Sequence, residues 1–141
     1  MIKTKTYYIV DDDTDDQQFL REALIENDST AHCFTAYDAQ EALTNLNGVL
    51  IPLPDAIFLD LNMPGMDGKQ CLAELKRTPS LQHIPVVIYS TTSDKTEIQE
   101  TLKMGASYFL IKKNSFNELK TALYPIVKAL DTPIHLPPNH S

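Results

Sequence analysis

Five times over, the chain sets a short apolar run ahead of an amphipathic stretch, and this alternation restricts its fold more than any other feature. Residues 7–10, 32–36, 56–59, 85–89 and 108–111 read as strands, and 15–27, 38–46, 66–77, 94–104 and 115–129 as helices. Phe19, Leu20, Ala23 and Leu24 mark one apolar side of the first helix. The later helices close near Asn47 and Gly48, at Thr78 and Pro79, and at Gly105. Ser115 is placed to cap the last one, with Glu118 three positions on completing a capping box. A repeated strand-then-helix order predicts an α/β fold with a parallel sheet and helices on both faces. Continuous apolar runs such as AIFL and PVVIY suit strands covered on both sides.

A chain of 141 residues suits one domain with a sizeable core. Residues 1–130 are expected to form it, and residues 131–141, with three of the nine prolines, to be an extended tail with no output domain. No apolar run approaches the roughly 18–20 residues of a membrane span. The opening MIKTKTYYIV runs straight into aspartates, unlike a secretory leader. Cys33 and Cys71 lack CxxC spacing and read as reduced core thiols, so a cytoplasmic address is expected. A net charge of −7, with Arg21 and Arg77 the only arginines, argues against a nucleic-acid surface.

Open α/β sheets gather their functional groups at the carboxyl ends of the strands. Here the first strand delivers Asp11 and Asp12, and the third Asp60. The fourth delivers Ser90 followed by Thr91, and the fifth delivers Lys112. Clustered carboxylates raise one another's pKa values and cost stability, which a hard divalent cation such as Mg²⁺ relieves. A carboxylate can also attack phosphorus, with Lys112 and Ser90 as donors to the other oxygens.

The motifs IVDD (9–12), FLDLNMPGMDG (58–68), PVVIYS (85–90) and GASYFLIK (105–112) resemble the receiver domain of two-component response regulators. The resemblance covers about residues 5–130. It implies a doubly wound, flavodoxin-like (βα)5 sheet in the strand order 2-1-3-4-5. It implies Asp60 as phosphoacceptor, Asp12 as a direct Mg²⁺ ligand, Asp11 acting more through water, and Asn62 offering its backbone carbonyl. Ser90 and Lys112 take the family's hydroxyl and lysine positions, and Phe109 the aromatic switch position. Asn62 and Thr92 stand where the family tunes autodephosphorylation.

The implied donor is a sensor histidine kinase or phosphotransfer protein. The implied output is a downstream protein met by the fourth helix, fifth strand and fifth helix, with a homodimer left open. Such a domain is no enzyme beyond its own phosphorylation and slow autodephosphorylation. Two departures stand out. Lys113 replaces the usual proline after the lysine, so that peptide either is cis, at about 3–4 kcal/mol, or runs trans. Phe109 lacks the hydroxyl of a switch tyrosine, so any switching there rests on packing.

Other readings compete. A haloacid-dehalogenase-like phosphohydrolase shares the strand-end Asp, hydroxyl, lysine and Mg²⁺, but wants an acid where Asn62 stands. A phosphate-independent docking module needs none of these groups. Asp13, Asp15 and Asp16 read as helix-start or solvated charges. Asp11, Asp13, Asp15 and Glu22 match ligand positions of an EF-hand loop, yet Asp16 replaces its glycine and no helix precedes Asp11. The histidines at 32, 83, 135 and 140 lack ligand spacing, and Lys113 is expected in solvent. Pro125 is expected to kink the last helix or split it after Tyr124.

Overall fold

The computed structural model describes residues 4–48 and 52–131. The expectations for the tail beyond Asp131, with His135 and His140, lie outside the described residues. The chain alternates β1 (Thr6–Val10), α1 (Thr14–Asn27), β2 (His32–Ala36), α2 (Ala39–Asn47), β3 (Ala56–Leu59), α3 (Gly68–Arg77), β4 (Val86–Ser90), α4 (Lys95–Lys103), β5 (Tyr108–Ile111) and α5 (Phe116–Leu130). All four strand pairings are parallel, and the order is β2-β1-β3-β4-β5. This is the flavodoxin-like arrangement that the repeat and the motifs implied. Among the described residues no helix is long and apolar enough to cross a membrane.

Side chains on a strand alternate between the two faces, so each strand feeds two cores. Tyr8, Val10, Ile57, Leu59, Val86 and Ile88 pack with Leu46 of α2 and Leu72 and Leu75 of α3. Tyr7, Ile9, Phe58, Val87 and Tyr89 pack on the other side with Leu20 and Leu24 of α1 and Leu119 and Leu123 of α5. The edge strands are less covered: His32 is exposed, and Tyr108, Phe109 and Ile111 are half-buried. Cys71 is a buried free thiol, whereas Cys33, on edge strand β2, is only half-buried.

Each helix begins on a polar side chain that accepts the free N–H groups of its first turn. Asp13, Asp38, Asp67, Asp94 and Ser115 do this for α1 to α5 in turn. The reciprocal capping box forms at Asp67 and Gln70 of α3, while at α5 Ser115 Oγ accepts from Glu118 N–H at 3.3 Å.

Two alternatives left open by the sequence narrow. Helix α5 continues through Pro125, without the split. The proline faces solvent, while Leu119, Leu123, Ile126, Val127 and Leu130 hold the opposite face in the core. No cis peptide occurs among the described residues, so Lys112–Lys113 runs trans.

Candidate functional site

The functional side chains are aimed by backbone bonds that carry the sheet one residue beyond its strands. Asp11 N–H donates to Ala36 O at 3.1 Å, Asp60 N–H to Val10 O at 2.9 Å, and Lys112 N–H to Ser90 O at 2.7 Å. Gly68 seats the third loop beside them. Its N–H donates to Leu61 O at 2.9 Å, and a Cβ there would lie 2.3 Å from Asp60 O. Only glycine lets the start of α3 approach the backbone of Asp60 so closely.

One carboxylate oxygen each from Asp11, Asp12 and Asp60 lies within 4.8 Å of the others. Asp11 and Asp60 are buried, and Asp12 is exposed. Asp12 lines an open depression of about 540 Å³ that Asn62, Met63, Pro64, Lys69 and Glu97 also border. Asp11 Oδ1 accepts from Asp13 N–H at 2.9 Å. Asp11 Oδ2 is buried without a regular hydrogen bond, and the Lys112 ammonium stands 2.9 Å from it. That ammonium also meets Asp16 Oδ2 at 2.8 Å, Asp60 Oδ1 at 3.7 Å, and the face of Tyr89 at 5.2 Å from the ring centre. Ser90 is buried at the end of β4, its Oγ accepting from Thr92 N–H at 3.3 Å. Asn62 N–H approaches Asp60 Oδ1 at 3.4 Å.

The electrostatics follow from this crowding. Burial pushes the Asp60 carboxyl up from 3.8 to about 6; Lys112 opposes the rise, and Asp11 and Asp12 add to it. Burial likewise raises Asp11, against the Asp13 N–H and Lys112. Burial works against the Lys112 charge too, but Asp16, Asp11 and Asp60 together reverse that effect and raise its pKa. One ammonium therefore faces more negative charge than it can balance. An all-oxygen set of three clustered carboxylates that shares one ammonium fits a hard divalent cation.

The model of the response regulator receiver domain matches residues 8–124. The chain belongs to that family. Response regulator Rcp1 of a Synechocystis species is 35% identical over 68 residues, 48% of this chain and 46% of that protein. PleD of Caulobacter vibrioides is 38% identical over 89 residues, 63% of this chain and 20% of PleD. The chain thus spans under half the length of these curated relatives. Among solved structures, the phosphorylated cyanobacterial phytochrome response regulator RcpA superposes with a TM-score of 0.83 at 29% identity, covering 96% of this chain and 99% of that one. The Mn²⁺-bound form of Rcp1 gives 0.79 at 26% identity, covering 94% and 99%.

Receiver domains are signalling domains that bind Mg²⁺ or Mn²⁺ in an acidic pocket, and this receiver presents such a cluster in Asp11, Asp12 and Asp60. Ser90 and Lys112 stand at the same sheet edge, and Asn62 borders the adjoining depression. Phe109 pairs with Ile88 across the sheet and packs against the α2–α3 core. Asp13 accepts from the N–H groups of Asp15 and Asp16, and Glu22 from Gln18; the acidic group with metal-ligand spacing among the described residues is Asp11, Asp12 and Asp60, not the EF-hand set. Lys113 is half-buried rather than solvated.

Three contributors escaped the sequence reading. Asp16 lies among the helix-start charges, yet it pairs with Lys112. Gln17 is buried, and its Nε2 donates to Asp11 O at 2.6 Å and Ala36 O at 3.1 Å, pinning the β1–α1 turn. Its register with Leu20 and Leu24 on the apolar face was the available signal. Gly68 closes the FLDLNMPGMDG motif, where the sequence alone shows no role for it.

Proposed function

We propose that this receiver, as one unit over residues 1–130, takes a phosphoryl group onto Asp60 and signals through a protein contact. The donor is a histidine kinase or phosphotransfer protein. An Asp60 carboxylate oxygen attacks phosphorus of the donor phosphohistidine. The O–P bond forms, the N–P bond breaks, and the imidazole leaves with the electron pair. Asp11, Asp12 and Asp60, with the Asn62 backbone carbonyl, would hold Mg²⁺, which when bound would supply charge neutralisation for the transfer. Lys112 and Ser90 donate to the phosphoryl oxygens and orient the group. The observation that carries this reading is the carboxylate cluster, with Asp11 and Asp60 buried, facing one ammonium, with a buried hydroxyl at the neighbouring strand end.

Transmission to the partner runs through Ser90 drawn toward the phosphoryl group, a repacked Phe109, and the face made by α4, β5 and α5. A weakly anchored α4 supports it, since Thr101 is its only buried residue. Asn62 in place of a second acid counts against a phosphohydrolase. Incubation with Mg²⁺ and acetyl phosphate followed by intact mass measurement tests the proposal. A single slowly lost phosphoryl adduct, absent in Asp60→Asn, is expected. Rapid turnover of phosphoesters would instead favour a hydrolase, and no adduct a docking module.

A further inference from the structure

The Lys112 ammonium is not directed at Asp60. It sits between Asp16 Oδ2 at 2.8 Å and Asp11 Oδ2 at 2.9 Å, and its 3.7 Å separation from Asp60 Oδ1 is beyond hydrogen-bond range. The Tyr89 ring bounds the other side of this cage. Asp16 is free to serve here because the cap is supplied by its neighbour: Asp13 Oδ1 accepts the N–H groups of both Asp15 and Asp16. The turn that aims Asp16 at β5 is itself pinned by Gln17 on Asp11 O and Ala36 O. A lysine with two close carboxylates divides its attraction between them, and removing one sends it toward the remaining acids.

We propose that Asp16 is a positioning residue that holds Lys112 off Asp60, leaving the Asp60 carboxylate open to the cation and the phosphoryl donor. This rests on the function proposed above for Asp60. Without Asp16, the ammonium closes on Asp11 and Asp60 and competes with the divalent ion for the same oxygens. The charge of Asp16 therefore acts through Lys112 and not simply as one more negative group near the pocket.

Two measurements test this. In metal-free, isotope-labelled protein, the side-chain ammonium resonance of Lys112 should shift and exchange faster in Asp16→Asn but not in Asp15→Asn, which removes a charge from the same exposed turn. A Lys112 resonance indifferent to Asp16→Asn overturns the inference, whatever the metal does. By calorimetric titration with Mg²⁺, Asp16→Asn should bind about three- to tenfold more weakly than wild type, the scale of coupling between contacting charges. In a Lys112→Met background the same substitution should have no effect. An equal loss with and without Lys112 would mean a plain field effect and overturn the inference. A wild type that takes no Mg²⁺ would defeat the function proposed for Asp60, while the ammonium resonance still decides the role of Asp16.

Discussion

The interior of the sheet and its carboxyl edge belong to the same strands, yet they act on stability in opposite directions. Leu59, buried among Leu46, Leu72 and Leu75, is followed directly by Asp60, buried beside Asp11 and close to Asp12. Burial stabilises the first by removing apolar surface from water. It penalises the second by removing charge from water, with one shared ammonium as partial compensation. The contrast teaches that the strands are anchored well enough by their middles to hold an unfavourable cluster at their ends.

The largest expected effect lies in the interior. Phe58 is fully buried in β3 and meets Tyr7 edge-on with ring centres 6.0 Å apart. Phe58→Ala should lower the unfolding free energy by about 3–5 kcal/mol in urea denaturation, through lost contacts and a cavity. A loss below about 1 kcal/mol would break the contrast from the core side, since such a core could not offset the edge.

Next comes the junction between the two regions. In Gly68→Ala the new methyl would meet Asp60 O and, at 2.5 Å, Leu61 Cα, both backbone atoms that cannot swing aside. A destabilisation of about 1–3 kcal/mol is expected, with the β3–α3 loop displaced. Amide spectra of residues 60–68 check the second part; an unperturbed loop in a stable variant would show that α3 is not seated on that backbone.

How much of this was legible in the sequence depended on whether a signal was local. Strand and helix order followed from periodicity, and the element limits moved by only a residue or two, as at α3, which begins at Gly68 rather than Met66. Asp11, Asp12, Asp60, Ser90 and Lys112 could be placed at one edge because each directly follows, or ends, an apolar run. Asp16 could not be paired with Lys112, because 96 positions separate them and nothing nearby marks the contact. For Pro125 the local cost of a proline was visible and a kink or a split could be named, but that α5 stays one helix depends on five buried side chains, a property of the packed fold.

A shift no larger than that of Gly68→Ala, and of opposite sign, comes from the edge and is the most direct test. The folded Asp60 carboxyl is raised to about 6, against 3.8 unfolded, so the native state holds the extra proton between those values. Stability from this group is therefore present at low pH and lost as pH rises through about 6. In metal-free thermal melts, Asp60→Asn should be more stable than wild type by about 1–3 kcal/mol at pH 7.5, and the difference should fade toward pH 4. Saturating Mg²⁺ should then stabilise the wild type more than the variant and narrow or invert their order. If Asp60→Asn is never the more stable protein without metal, or if Mg²⁺ raises both melting temperatures equally, the acidic edge is not the cation-relieved cluster described above.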